Sequence, residues 1–359
     1  MKQQLLRFRH LLLLVPFPLI FAAGPVSAQQ VPARTGRFQA GIEAAAVALG
    51  NNPRFKGRSL ENRKQVVEFV VGNMLFVLLH ELGHTAIGEM DLPVLGKEED
   101  AADSFAATRL IRIGSEFTGR VLTEATKGWF MDDRRDRKEG NSIPYYDVHG
   151  LDQVRAYQIV CFMVGADKDR FKDLANETKL PADRQDLCAR DYSKAASSWA
   201  AVLKPYLRAP DQPETKINVT YGDGIGRLAT AAEVFRSVKM LEIVAEHQSD
   251  LLLWPEPFAL EMQSCGFINA RWDPETRKLT LCYELAADFA ELYRDYGSAL
   301  AEGRKGISRT AGRKKSVRKS ETDDFAHRDV ARNSGTEGCT ASSVGVGVTC
   351  WRAARVKGR

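Results

Sequence analysis

The central part of this 359-residue sequence has no apolar run long enough to cross a membrane, and the sequence has no internal repeat. Its only long apolar runs are 11–23, near the N-terminus, and 69–79. The second run is eleven residues long, whereas a helix needs about 20 apolar residues to cross a bilayer. The absence of an internal repeat excludes solenoid folds. The composition, 44% hydrophobic and 27% charged, is instead typical of a globular protein.

An excess of positive charge is also absent from the central part of the chain, although the net charge is +5. Residues 301–359 carry 14 Lys and Arg against 6 Asp and Glu. The first 28 residues carry three basic residues and no acidic ones. The net charge of residues 29–300 is therefore about −6. A nucleic-acid partner is therefore not expected. Residues 301–359 have no hydrophobic periodicity and predict a basic disordered tail. Contact with a membrane surface is conceivable only through this tail.

The N-terminus has the parts of a secretory signal peptide, which we place at 1–28. Lys2, Arg7 and Arg9 precede the apolar run, and small residues near Ala28 offer a cleavage site. The run is short for a membrane span and prolines interrupt it, so an uncleaved anchor is the less favoured alternative. We expect a soluble mature chain in the periplasm or outside the cell.

Cysteine spacing excludes a cysteine-based zinc site, because none of the six cysteines form a C-x-x-C pair. In an exported chain the cysteines favour disulfides instead. Of three possible connectivities for the four central cysteines we favour Cys161–Cys188 and Cys265–Cys282, each closing a loop that stabilises by about 3 kcal/mol. A symmetric hairpin would place Cys282 opposite Asn269, so the second bridge requires an asymmetric turn or a bend.

The stretch 66–84 predicts a helix that is apolar nearly all round and carries His80, Glu81 and His84. Histidines at i and i+4 share one face, so both imidazoles can bind one tetrahedral Zn²⁺. Glu81 lies about 100° around the helix from His80, where it can take a proton from metal-bound water. A five-residue match can arise by chance. The apolar helix, the close packing that Gly83 permits and an acidic cluster nearby favour a metal site.

The third histidine of the metzincin pattern is missing, because position 90 is Met. A turn between Pro93 and Gly96 precedes a second predicted helix. Its first turn is acidic, as the helix dipole favours. The third ligand is expected among these acids and the aspartate one turn later, which are Glu98, Glu99, Asp100 and Asp103.

Helical spacing separates these acids into two faces. Glu99 and Asp103 share an apolar face with Ala102 and Ala106, whereas the Glu98 face leads to Arg109. Glu99 is therefore favoured as the third ligand, with the other three acids left as alternatives. Asp103 is expected to accept the outer N–H of a ligating histidine.

These motifs resemble a known family. H-E-L-G-H at 80–84 followed by E-E-D-A-A-D at 98–103 is similar to a bacterial domain-of-unknown-function family described as "putative metallopeptidases", and later stretches at 149–155 and 265–285 extend the resemblance. The E-x-x-A-D piece also resembles the third-ligand motif of membrane-embedded CAAX-type gluzincin proteases. This resemblance implies that Glu99 binds the metal and Asp103 supports the site.

The apolar patterns predict a predominantly helical α+β domain over 59–300, preceded by a flexible lead-in at 29–58 that contains at most a short helix. We expect a single zincin-like domain with a small antiparallel sheet. In zincin-like enzymes an edge strand often lies beside the active-site helix and pairs with substrate. The sequence predicts helices at 62–89, 97–114 and 286–300 and a loop at 132–141. It also predicts a strand at 216–221 and a hairpin with strands at 267–272 and 278–284.

His149 begins another predicted helix and is a candidate catalytic residue, since it can donate to the oxyanion that forms when water attacks a peptide carbonyl. The alternative is a histidine bonded to Asp147 or to a backbone carbonyl. Tyr145 and Tyr146 are weaker candidates for the same role. Arg155 is expected to anchor a carboxylate within the fold.

Together these features predict an exported zinc-dependent peptidase for a peptide or protein substrate. His80, His84 and Glu99 would hold one Zn²⁺, and Glu81 would accept a proton from its water and pass it to the leaving amine. An inactive zincin-fold periplasmic binding protein and a zinc hydrolase of a non-peptide amide are the alternatives. The presence of Glu81 argues against the first, because a structural metal site does not need it. No feature specifies an oligomeric state.

Overall fold

The computed structural model describes residues 30–141 and 145–310, and the side chains of 33–141 and 145–297. In order along the chain the helices are α1 (Gln30–Ala48), α2 (Leu60–Glu89), α3 (Glu98–Ile113), α4 (Glu116–Glu139), α5 (Asp152–Ala166), α6 (Lys168–Glu177), α7 (Ala182–Leu203), α8 (Ala229–Val238), α9 (Met240–Leu251) and α10 (Tyr283–Thr310). The strands are β1 (Ile217–Tyr221), β2 (Phe258–Gln263), β3 (Ala270–Asp273) and β4 (Lys278–Cys282). The predicted predominantly helical α+β class is confirmed.

Helix α2 is the central element of the fold. The hydroxyl of Ser59 caps its first turn by accepting from the Asn62 N–H. From Val66 to Ile87 nearly every residue is buried, and α1, α3, α4 and α10 all contact this helix. Among the described residues, α2 is the one helix long and apolar enough to span a membrane, and 94% of its apolar window is buried within the protein. Its apolar character therefore matches its position in the core.

The sheet is mixed, with strand order β1-β2-β4-β3. Only the β3–β4 hairpin is antiparallel, so the prediction of an antiparallel sheet is wrong for the other two strand pairs. Two helices, α8 and α9, connect β1 to β2, and a crossover of this kind returns the chain in the parallel direction. The hairpin and β1 match predicted strands. Strand β2 was not predicted, although Phe258, Leu260 and Met262 alternate inward along it.

The region predicted as a flexible lead-in forms helix α1. Phe38, Ile42 and Ala45 lie at helical spacing and are buried against the rest of the core. A side chain at Gly41 would place its Cβ only 2.7 Å from the Cα of Val238, so the helix packs closely on α8. Tertiary packing therefore orders these residues. The predicted signal peptide at 1–28 lies outside the described residues. Of the tail predicted as disordered at 301–359, residues 301–310 instead continue helix α10, and the rest lies outside the described residues.

Helix α4 extends through most of the segment predicted as a solvated loop at 132–141. Arg135 forms ion pairs with Asp132 on its own helix and with Asp288 on α10, and all three side chains are buried. Asp132 and Arg135 are thus neutralised inside the protein together with Asp288, whereas Arg134, Arg137, Lys138 and Glu139 remain exposed.

Both predicted disulfides are present. Cys161 on α5 and Cys188 on α7 have Cα atoms 5.0 Å apart, and Cys265 and Cys282 have Cα atoms 5.5 Å apart. Cys282 does lie opposite Asn269, whose carbonyl accepts its N–H at 3.0 Å. A bend after β2, where Gly266 has φ +85°, brings Cys265 to the same point. Disulfides are typical of chains that fold in an oxidising compartment outside the cytoplasm.

Candidate metal centre

Helices α2 and α3 pack closely at Gly83, within the H-E-x-x-H motif. A Cβ added to Gly83 would lie 3.0 Å from the Cα of Ala102 and 3.3 Å from the Cβ of Phe105. The missing side chain therefore lets α3 pack against the motif, as the sequence suggested. This contact places Glu99 and Asp103 opposite the two histidines.

Replacement of Gly83 by Ala is expected to separate α2 from α3, because the added methyl has no room. We expect destabilisation by about 1–3 kcal/mol and weaker metal binding. Gly88→Ala on the same helix is the matched control, since nothing lies within 4 Å of its added Cβ. An alanine there should stabilise the helix by up to about 1 kcal/mol. Chemical unfolding and metal titration of both variants check this. Equal effects of the two substitutions would contradict the packing argument.

Three buried side chains converge in the cleft between the two helices. The Nε2 atoms of His80 and His84 lie 3.1 Å apart, and the Oε2 atom of Glu99 lies 3.2 Å from the first and 3.5 Å from the second. These residues are 1%, 3% and 4% exposed, and together they form a group that could bind a metal ion. The neighbouring acids Glu98 and Asp100 are exposed, so helical spacing identified the inward-facing acid correctly.

The outer ring nitrogens fix the protonation of both histidines. Nδ1 of His80 contacts Asp103 at 2.8 Å, and Nδ1 of His84 contacts Glu98 at 2.7 Å. Arg155 donates to both oxygens of Asp103, at 2.6 and 2.7 Å. Burial alone would raise the pKa of Asp103, but Arg155 and His80 lower it well below its usual range, so this carboxylate is ionised and only accepts. The Nδ1 atoms therefore carry the protons.

This arrangement fits a cation in the cleft. Burial disfavours the charged forms of His80 and His84, but the surrounding carboxylates outweigh it and raise the pKa of both side chains, that of His84 to about 10. The carboxylates thus favour positive charge in the cleft, and a metal ion bound through the two Nε2 atoms would replace these protons. Ligands of a tetrahedral ion with bonds of about 2.05 Å are about 3.3 Å apart, close to the three separations above. The donor set and the spacing both fit a divalent metal.

Glu81 is completely buried next to these residues. Its Oε2 accepts the backbone N–H of Trp272 on β3 at 3.1 Å, and its Oε1 has no hydrogen-bond partner among the described residues. Burial raises the pKa of Glu81, while His80 and His84 act in the opposite direction. One oxygen of this carboxylate is thus held by the sheet and the other remains available to accept a proton.

His149 lies at the opening of the cleft, with its side chain 14% exposed. Its Nε2 is 3.2 Å from Oε2 of Glu99, while Asp147 accepts from both its Nδ1 and its backbone N–H. The structure therefore brings His149 to the predicted metal site and also shows the Asp147 contact that the sequence offered as an alternative. Tyr145 and Tyr146 are largely exposed.

Two contacts of this centre were not predicted. Glu98 was considered only as a metal ligand, and the structure places it on the outer nitrogen of His84. The Trp272 amide had no signal in the sequence, because a backbone group at a sheet edge is defined by tertiary structure alone. A second group of potential ligands, Cys265, Cys282 and Glu284, does not form a free metal site. Its cysteines are disulfide-bonded and its carboxylate accepts backbone N–H groups.

Comparison with protein families decides the affiliation of the chain. The model of a family described as "Putative metallopeptidase" (DUF4344) matches residues 48–203 and 226–317. The chain belongs to this family. The matched ranges include α2, α3 and β3. They therefore include every residue of the candidate metal centre. Comparisons with curated proteins and with solved structures gave no significant match.

Proposed function

We propose that the protein is an exported zinc-dependent metallopeptidase in which Glu81 is the general base. The observation that carries this proposal is the convergence of two imidazole nitrogens and one carboxylate oxygen in a buried cleft, with a second carboxylate beside them. Two histidines and a glutamate are a ligand set of catalytic zinc sites, in which the fourth position remains open. A structural site would more often be closed by four protein ligands.

Zinc bound by His80, His84 and Glu99 would supply an acidified water and polarise the scissile carbonyl. Asp103 orients His80 through its Nδ1, and Arg155 keeps Asp103 ionised. Glu81 accepts the water proton on its unpartnered Oε1 and delivers it to the leaving amine. Burial raises the pKa of Glu81, which favours the second half of this transfer, in which the protonated side chain acts as the acid.

Strand β3 is the candidate binding surface for the substrate backbone. It is an edge strand of the described sheet, and its Trp272 amide contacts Glu81 directly. An extended peptide that paired with β3 would pass in front of the metal centre. This geometry favours a peptide or protein substrate over a non-peptide amide. Strand β1 is at the opposite edge of the described sheet. We propose that the protein has no nucleic-acid partner. We propose that it contacts a membrane surface, if at all, through the basic tail at 301–359.

His149 is proposed to donate from Nε2 to the oxyanion. Because Asp147 accepts the Nδ1 proton, Nε2 carries a proton only in the imidazolium form. Burial lowers the pKa of His149, so this form is present at acidic pH and is lost as pH rises through a value below 6.5. His149→Gln should therefore reduce kcat more at pH 5.5 than at pH 8. A pH-independent reduction would assign His149 a structural role.

The function is tested by incubating the metal-loaded protein with a broad peptide library. We expect cleavage by the wild type, loss of cleavage with a zinc chelator, and recovery after zinc is added back. A wild-type protein that binds one zinc per chain and cleaves no peptide would favour the inactive binding protein. Cleavage of simple amides alone would favour a non-peptide hydrolase.

A further inference from the structure

A second cavity lies between the C-terminal half of α3, the end of α7 and helix α9. Its volume is about 210 Å³, and its walls include Arg109, Arg112, Tyr192, Trp199, Leu203 and His247. Arg109 is ten residues after Glu99 on α3, which places it about 15 Å along the helix from the metal ligand. The cavity shares no lining residue with the metal centre.

Arg109 is partly buried and differs from the buried arginines Arg135 and Arg155, which are each paired with carboxylates. Its Nε and Nη2 atoms are buried and have no hydrogen-bond partner in the described part of the chain. Buried N–H groups of a cation that lack an acceptor are unfavourable, and the Phe105 ring, 5.2 Å from the guanidinium carbon, compensates only in part.

The surroundings of Arg109 increase this excess of positive charge. Burial and the neighbouring Arg112 lower the pKa of Arg109 to about 10, so the side chain is still a cation at neutral pH. Arg112 is exposed and has no acidic partner among the described residues. Both acids beside His247 on α9 are already paired, Glu246 with Arg37 and Asp250 with Arg34 and Arg208. No carboxylate of the described chain therefore balances Arg109.

Helices α7 and α9 and the segment after α7 add apolar surface to the cavity wall. Leu203, Leu207 and Leu251 contribute aliphatic side chains. Trp199 donates its ring N–H to Ser104 at 2.8 Å, so this polar group is already satisfied and the ring offers the cavity an apolar surface. The cavity thus combines two arginines of α3 with aliphatic and aromatic surface.

We propose that this cavity binds a small organic acid, with the carboxylate on Arg109 and Arg112 and a short apolar body against Trp199 and Leu203. A guanidinium fork matches the two oxygens of a carboxylate. The volume is below the roughly 300–1,000 Å³ typical of drug-sized ligands, so long-chain lipids do not fit. The site is independent of peptide hydrolysis.

The proposal is tested by calorimetry on the full-length protein with hexanoate as the probe. Hexanol and inorganic phosphate serve as comparators that lack the charge or the apolar body. We expect hexanoate to bind at least ten-fold more tightly than either. Arg109→Met should weaken hexanoate binding by about 10- to 100-fold, the effect of losing a charged hydrogen bond. Arg58→Met, which removes an arginine from a different groove, should leave hexanoate binding unchanged.

A stability measurement distinguishes a ligand site from a structural arginine. Because Arg109 has no anionic partner, Arg109→Met without ligand should leave the Tm unchanged or raise it, and hexanoate should raise the Tm of the wild type only. Absence of hexanoate binding at about 10 mM, equal binding by Arg109→Met, or phosphate binding as tight as hexanoate binding would each overturn the proposal. A lower Tm for ligand-free Arg109→Met would likewise overturn it.

Discussion

Replacement of Glu81 by Gln is expected to lower kcat for peptide hydrolysis by about 10²- to 10⁴-fold, the usual contribution of a general base. The amide cannot accept the water proton through Oε1. Its oxygen can still accept the Trp272 N–H that now binds Glu81 at 3.1 Å, and it removes a carboxylate whose ionisation burial disfavours. We therefore expect an unchanged or higher Tm and full metal content.

Glu68→Gln is the matched control for this experiment. Glu68 lies on the same helix, but its ion pair is with Arg120 on the surface of α4, remote from the centre. This variant should keep the wild-type rate. Retained activity in Glu81→Gln would remove the residue from the mechanism. Loss of metal together with activity would instead assign it to metal binding.

The largest effect on stability is expected from Arg155→Met. Arg155 and Asp103 are 2% and 3% exposed, and the guanidinium also lies over the Trp129 ring at 3.8 Å. Removal of the cation leaves Asp103 buried without its partner, which destabilises a protein by about 3–5 kcal/mol. Asp103 then becomes easier to protonate and loses its hold on His80. We expect metal affinity to fall by about 10- to 100-fold.

Chemical unfolding and zinc titration of two further variants complete this test. Arg137→Met removes a largely exposed arginine that pairs with Asp133 on the same helix, so the free energy of unfolding should hardly change. The double variant Arg155→Met with Asp103→Asn should recover part of the lost stability, because neither member of this ion pair then leaves a buried charge without its partner, but it should not recover the metal affinity. A single Arg155→Met variant as stable as Arg137→Met would contradict the assigned role.

The parts of the centre that follow helical spacing could be predicted from the sequence. His80 and His84 are one turn apart on an apolar helix, and Glu99 lies with Asp103 on the apolar face of the next helix, so local periodicity separated these two acids from Glu98. Both disulfides were predicted as well. They join cysteines that are neighbours along the chain, one of the three connectivities that four cysteines allow.

The parts that depend on contacts between distant segments were missed. Helix α1 is ordered by packing on α8, and the charged segment at 132–139 is helical where Arg135 is buried against Asp288, more than 150 residues later. The parallel pairing of β2 with β1 and β4 has no local signal, although the alternation along β2 was present. The hydrogen bond from the Trp272 amide to Glu81 was also missed, because it depends on the position of the sheet edge in the folded protein.

Metal analysis of the purified protein tests the central claim most directly. After equilibration with zinc and removal of excess ion, elemental analysis should find about one zinc per wild-type chain and little in His84→Ala or Glu99→Ala, with all three proteins folded by circular dichroism. Wild-type protein without stoichiometric metal, or variants that retain it, would contradict the assignment of these residues as ligands.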